Sequence, residues 1–286
     1  MTDMQVGTAG IDWLALWRDM YTRERDQGEA ATHPDMQRSA DHYATAAARF
    51  ARNVKRVPQP DAFMRWLLPH LSHGDTVIDI GAGSGRYLPP LVAAGCNVVA
   101  LERSPAMVEQ MQHVVTAQQL SGVTIVPEYW PTPQPMTCDV ALAVHVLYAL
   151  PDIEPFIRAM HQSARKLCVL VLGVRHPTTP VLPLWQVYHG SPRLPLPGAF
   201  ECLNALAQIG IIANVTVLPA PLPISYASLD EAVAETCFRL RLPYDASHQQ
   251  RIATLIEQHW QIRATGEVVV PLAPPPNLAI WWCPSA

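Results

Sequence analysis

A chain of 286 residues with 49% hydrophobic and 15% charged side chains can bury one large α/β domain with additions, or two small domains, and this composition excludes disorder as the default. Its formal charge of −4 at pH 7 excludes a broad electrostatic footprint for nucleic acid. Six cysteines at 96, 138, 168, 202, 237 and 283 make no close pair and no metal-ligand spacing, so neither a disulfide framework nor a metal site is expected.

Several of those cysteines lie in apolar runs, where a free thiol behaves as a small hydrophobe. Arg49, Arg52, Lys55 and Arg56 form the one basic cluster, and so short a run reads as a solvated helix face. No signal peptide and no bilayer-length apolar stretch is visible, so the expected setting is cytoplasmic with no membrane partner. The 28 prolines are about twice the usual share. They gather at 127–135, 177–197, 219–223 and 271–276, between periodic segments, and read as rigid loops.

In chain order, Trp13, Leu14, Trp17, Met20 and Tyr21 share one side of a helix over 11–25, and 36–55 is a second amphipathic candidate containing Tyr43, Ala47 and Phe50. A third, at 60–71, leads to a strand at 76–80. A helix from Ser84 to Ala94 stops at Gly95, with Pro89-Pro90 bending or shortening its first turns. Strand 97–102 precedes a helix with Ser104 as N-cap and Pro105 at its first position. Strands 123–126 and 139–144 follow, then a helix capped by Asp152 that runs to Arg165-Lys166, whose charges suit its C-terminal end. Strand 167–172 comes next. A helix at 198–209, a strand at 211–218, capping boxes opening helices at Ser228 and Ser247, and strands at 266–271 and 277–283 complete the chain. Five apolar strands alternating with helices predict an α/β, doubly wound, mostly parallel sheet.

The first two strands carry the chemistry. Thr76-Val-Ile-Asp79-Ile80 runs into glycines at 81, 83 and 85, and the second strand ends in Glu102. Glycines at such a turn let the backbone approach a ligand, and a carboxylate after the next strand suits a ribose diol. A dinucleotide site spaces its glycines G-x-G-x-x-G, but its third position here is Arg86. Asp79 opposes a pyrophosphate and suits a cationic ligand end such as an amino group or sulfonium. Both features speak against an NAD-dependent oxidoreductase.

The loop, its acidic pair and the order of elements resemble the class I S-adenosylmethionine-dependent methyltransferases, specifically over 74–172. The resemblance implies a Rossmann-like sheet of seven strands, the last inserted antiparallel next to the fifth, with Leu278–Cys283 as that strand and helices at 228–262 inserted before it. It implies an N-terminal helical cap over 1–72 and a cofactor-binding domain over 73–286, with substrate-covering segments at 175–197 and 226–263. The cofactor implied is S-adenosylmethionine. Asp79, Gly81, Ala82, Gly83 and Gly85 are expected around its methionine part, and Glu102 with Arg103 at the ribose. Glu128, Tyr129 and Trp130 fall where the family binds adenine, and the aromatic pair either stacks on the base or packs a loop.

The resemblance places His145 and Tyr148, in its fourth motif, where the methyl group is presented, and implies that His145 also contacts the cofactor. His145 is either a general base or a positioning or core histidine, since only an acceptor that must lose a proton needs a base. His176, Trp185, Tyr188 and His189 lie in the proline-rich segment 175–193, either a substrate wall or a rigid connection. That aromatic, apolar segment suits a small-molecule acceptor. No Asn/Asp-Pro-Pro-Tyr/Phe motif follows the fourth strand, and no cysteine stands where a pyrimidine C5 nucleophile is expected, so base methylation is disfavoured. The rival readings are a non-catalytic binder of the same cofactor and, against the charge, an RNA methyltransferase.

Overall fold

The computed structural model describes residues 10–36 and 60–284. The second helix candidate at 36–55 and the basic cluster lie outside the described residues, apart from Met36. Seven strands form one sheet: β1 (Thr76–Ile80), β2 (Asn97–Leu101), β3 (Val123–Val126), β4 (Cys138–Val144), β5 (Ala164–Gly173), β6 (Asn214–Val217) and β10 (Asn277–Trp282). Their order is β3-β2-β1-β4-β5-β10-β6. The first five are parallel, and β10 runs antiparallel between β5 and β6. The strand order reverses between β1 and β4, so a crevice opens there at the carboxyl ends of the strands.

Alternate residues of the central strands feed opposite cores. Ile78, Ile80, Ala141, Ala143, Leu170, Leu172 and Ile280 pack against α1 (Trp13–Ala30), α5 (Glu154–Ser163) and α7 (Ala199–Gln208). Val77, Val98, Ala100, Leu142, Val169 and Val171 pack against α2 (Ala62–Leu67), α3 (Leu88–Ala93) and α4 (Pro105–Ala117). Period-two apolar patterning on both faces is what a sheet covered by helices on both sides requires. Trp17 anchors α1 in the first of these cores, and its indole N–H donates to the Leu150 carbonyl at 2.8 Å.

A third core is shared between the β5–β6 connection and the insertion before the last strand. There α6 (Leu182–His189), α8 (Leu229–Arg239) and α9 (Ala246–His259) enclose Trp185, Val233, Cys237, Ile252, Ile256 and Trp260. A small sheet, β7 (Ser225–Tyr226), β9 (Val268–Val269) and β8 (Gln261–Ile262), closes it, with Tyr226 stacked on Trp260 at 5.8 Å. Arg193 ties this body to α1: its guanidinium lies 4.2 Å from the Trp185 ring and pairs with Glu24.

Four local expectations are corrected. The helix expected from Ser84 starts only at Leu88, because Gly83 and Gly85 hold φ of +57° and +79° and cannot enter a right-handed helix; Pro89 and Pro90 then occupy first-turn positions that need no N–H donor. Arg165 and Lys166 are not helix-terminal, since α5 passes directly into β5 at Ala164. Pairing with β4 starts there, at Cys138, and the two cations meet Asp139 and Asp75. Ser247 does not cap α9: Asp245, two residues earlier, accepts from the His248 N–H at 2.9 Å, and a carboxylate at a helix N-terminus outcompetes a hydroxyl. Similarly α5 takes Ile153 as its cap residue, while Asp152 reaches the Glu154 N–H only at 3.4 Å.

Candidate functional site

The turn after β1 is held by the strand beside it. Glu102, nearly buried at the end of β2, accepts from the Gly83 N–H at 3.0 Å and from the Ser104 N–H at 2.8 Å. Each of its oxygens keeps a lone pair beyond these bonds. Ala82 is tied to β2 by its N–H to the Leu101 carbonyl at 2.8 Å. Gly81 has φ +71°, and a Cβ there would stand 2.7 Å from Val146 Cγ2. The loops after β1 and β4 therefore touch through a glycine, across the point where the strand order reverses.

Asp79 is buried, and its Oδ2 has no hydrogen-bond partner among the described residues. Burial, then the charge of Glu102, pushes its carboxyl up to about 7. An orphaned buried carboxylate next to a second one calls for a cationic partner. That chemistry fits the amino end of S-adenosylmethionine and does not fit a pyrophosphate.

Beyond β3 the aromatic pair divides. Tyr129 is 62% exposed, and the Arg103 guanidinium lies 5.1 Å from its ring and donates to its hydroxyl at 3.3 Å. Trp130 instead turns inward and donates to the Phe156 carbonyl at 3.1 Å. Glu128 accepts from the Tyr129 N–H at 2.8 Å. Of the two sequence readings, Trp130 takes the loop-packing one, and Tyr129 keeps an open ring face.

His145 and His176 sit past the carboxyl ends of the neighbouring strands β4 and β5. Tyr148 joins them, stacked 6.0 Å from His145 and edge-on to His176 at 4.6 Å. The Tyr148 oxygen accepts from the Gly173 N–H at 2.6 Å, and burial raises its phenol above the ordinary value, so it stays protonated. His145 adopts φ +59° and has a buried, unpartnered Nδ1. Burial, reinforced by the Arg86 charge, lowers its pKa to about 4. His176 is lowered to about 3 by burial, then by Arg239 and His145. Both rings are neutral at pH 7.

Trp185 and Tyr188 lie elsewhere. Trp185 is buried in the third core under Arg193, and Tyr188 carries the Arg251 guanidinium 4.1 Å from its ring. A surface groove of about 100 Å³ lined by Pro183, Leu184, Val187, Trp260 and Leu272 includes none of the expected site residues. Sequence reading missed Asp61, which caps α2 and pairs with Arg86, and Arg239 of α8, which acts on His176. The signal for Arg86 was present as the residue in place of a third glycine. Nothing local marked Arg239, 63 positions after His176.

A family model described as a methyltransferase domain matches residues 41–186, just over half of the chain. No curated protein matches it by sequence. Among solved structures the chain is similar to the YcgJ protein of Bacillus subtilis, at 14% identity and a TM-score of 0.50, over 76% of this chain and 97% of that one. It is similar to a putative methyltransferase from Bacillus halodurans C-125, at 11% identity and 0.53, over 78% and 99% of the two chains. A magnesium protoporphyrin IX methyltransferase from Synechocystis PCC 6803 aligns at 18% identity and 0.47, over 73% and 94%. At such identities the first two likenesses establish fold alone, and the third carries no argument. The family match covers the segment with the glycine turn and its two carboxylates, on a sheet of the order that family requires, and the chain therefore belongs to the class I S-adenosylmethionine-dependent methyltransferases.

Proposed function

We propose that this chain transfers the methyl group of S-adenosylmethionine to a small-molecule acceptor bound over the ends of β4 and β5. The observation that carries the reading is the unpartnered, buried Asp79 carboxylate beside Glu102, at the point where the strand order reverses. Asp79 would hold the cofactor's amino group, and the backbone of Gly81, Ala82, Gly83 and Gly85 would lie along its methionine part. Glu102 would accept from the ribose hydroxyls through its spare lone pairs, while Arg103, Glu128 and Tyr129 border the base. The cofactor supplies an electrophilic methyl group on a positively charged sulfur.

The chain's own contribution is alignment and exclusion of water, which suffice for an in-line displacement. His145 faces the acceptor side beside Tyr148. Its lowered pKa makes it a weak base, which favours positioning over proton abstraction. His176 borders the same space, and Trp185 and Tyr188 support the wall from behind. In this reading the N-terminal segment through residue 72 caps the sheet, and 175–197 with 226–263 cover the acceptor. The same reading keeps the protein in the cytoplasm, in line with free, buried thiols at Cys96, Cys138, Cys168, Cys202 and Cys237. No described helix is long and apolar enough to cross a membrane.

Thermal shift with S-adenosylmethionine, S-adenosylhomocysteine and NAD tests the reading. A native-state ligand at a hundred times its Kd stabilises by about 2.7 kcal/mol. Stabilisation by the first two alone is expected, and a larger shift with NAD overturns it. Shifts with the first two, but no methylated product from any acceptor tried, would favour a non-catalytic binder. His145→Ala is expected to keep S-adenosylhomocysteine affinity; full turnover in that variant would eliminate a base role.

A further inference from the structure

The two edges of the large sheet differ. At one, β3 keeps its apolar side chains partly buried and stops at Pro127-Glu128. At the other, Val215 and Val217 of β6 are exposed, Val217 by 67%, and so are Ile212 and Leu222 beyond its two ends. Among the described residues nothing pairs with the outer side of β6. Edge strands that must stay single are shielded by charges or by a proline within the strand. Residues 202–229 contain no Asp, Glu, Lys, Arg or His, and Pro219 comes two positions after β6 ends.

The register fixes which backbone groups of β6 are free. The Leu218 N–H donates to the Asn277 carbonyl at 2.9 Å, which makes those two residues a hydrogen-bonded pair in the ladder with β10. Such pairs recur at every second residue of an antiparallel ladder. Thr216 and Asn214 therefore turn their N–H and C=O toward β10, and Val215 and Val217 turn theirs outward. Both valines share one face with Ile280 and Leu278, their neighbours in β10. The free edge thus offers two donors and two acceptors, placed evenly on either side of Thr216.

We propose that β6 pairs with β6 of a second copy of this chain, antiparallel about a twofold axis at Thr216. In that register Val215 faces the partner's Val217 and Val217 faces the partner's Val215, each as a hydrogen-bonded pair. All the outward groups of both strands are then satisfied. The next such position puts Ala213 opposite the partner's Pro219, whose missing N–H ends the ladder. The occupant is a copy of this chain because the edge is complementary to itself: the twofold brings each donor to an acceptor, matches branched apolar side chains, and meets no like charge. A strand of four residues is short for a stable interface, which buries roughly 1,200 Å² or more. The symmetry uses every residue twice and brings Ile212 of one copy toward the partner's Leu222, so the flanking apolar residues join it. Because the paired strands run in opposite directions, the two crevices open on opposite rims of one continuous sheet. Neither is covered by the other copy, and the pairing is independent of what the crevice binds.

Sedimentation velocity of the whole protein at roughly 1–100 μM tests the pairing. A species of twice 31.6 kDa is expected. Val217→Lys sets two ammonium groups as diagonal neighbours across the axis, and is expected to weaken the dimer at least tenfold. Val215→Pro removes an outward N–H and none of the bonds to β10, and is expected to weaken it as much while keeping the circular dichroism of the parent chain. The register is read by crosslinking in a Cys283→Ser background, which removes the exposed thiol. Thr216→Cys stands opposite itself at a non-hydrogen-bonded pair, where the side chains are closest, and is expected to form an intermolecular disulfide; Val217→Cys is not. A monomer throughout the concentration range overturns the proposal, as does a dimer that both Val217→Lys and Val215→Pro leave intact. So does a dimer that crosslinks through Val217→Cys at least as well as through Thr216→Cys. If Val215→Pro does not fold, Val217→Lys and the crosslink decide.

Discussion

Asp79 makes the cofactor-free protein sensitive to pH in an unusual direction. Its carboxyl titrates near 7 in the fold and at 3.8 in an open chain, so between those values the folded state holds a proton the unfolded state has lost. Stability then falls as pH rises through that window and levels off above 7, by at most about 4 kcal/mol at 1.36 kcal/mol per unit. The melting temperature of the cofactor-free protein is expected to drop between pH 5 and 7.5, and Asp79→Asn should flatten the slope. Ligand binding has the opposite sign. A cationic amino group needs the ionised form, so S-adenosylhomocysteine should bind about tenfold tighter at pH 7.5 than at pH 6, at 1.4 kcal/mol per tenfold. Equal affinity at both values would place the amino group away from Asp79. Asp79 and Glu102 were legible in the sequence because one sits near the end of an apolar strand, just before the glycine turn, and the other directly follows the next strand. The pairing of Arg86 with Asp61 was not, since it joins positions brought together only when α2 packs beside the glycine turn.

Elements meet here at contacts that single atoms control. Gly81→Ala adds a methyl 2.7 Å from Val146 Cγ2 at a φ of +71°, so it meets both a clash and backbone strain. A loss of about 1–3 kcal/mol is expected from the urea midpoint. Adding Val146→Ala should recover the steric share and leave the strain. Full recovery would show that the positive φ costs nothing. Arg193 controls a longer contact, joining α1 to α6 through Glu24 and Trp185. With side-chain exposures of only 6% and 17%, removing the arginine alone strands a buried carboxylate, at a cost of about 3–5 kcal/mol. Arg193→Met together with Glu24→Gln should therefore be more stable than Arg193→Met by itself. The strands were readable from their apolar runs and the α4 cap from Ser104-Pro105. Where local signals competed, as with Ser247 against Asp245, or Arg165-Lys166 as helix end against strand, tertiary pairing or the stronger cap decided.

At the scale of the whole molecule, two cores sandwich a sheet and a third core joins α6 to the insertion. The sequence carried the sheet order through its resemblance, and it marked α8 and α9 as helices. It marked β9 within the strand expected at 266–271 but could not carry β7 and β8, because a two-residue strand is too short to show a period. Such short ladders open more readily than long ones. Hydrogen exchange is expected to be slowest across 138–144 and 164–173 and distinctly faster at 225–226 and 261–269. S-adenosylhomocysteine should slow exchange at 79–87 and leave 246–259 unchanged; protection spread evenly over both would mean the insertion closes on the cofactor.

The position of β10 has a consequence for how the chain is made. Among the described residues it is the only neighbour β6 has in the sheet, and residues 218–276 separate the two along the chain. A nascent chain emerging from the ribosome can assemble β1 through β5, with the glycine turn and its carboxylates, and can pack α6, α8 and α9 around the third core. Throughout that interval β6 and the outer edge of β5 have bare backbone groups, a template for pairing with another chain. Synthesis of Leu278 through Trp282 fills the gap between them and covers the edge of β5 and the inner edge of β6.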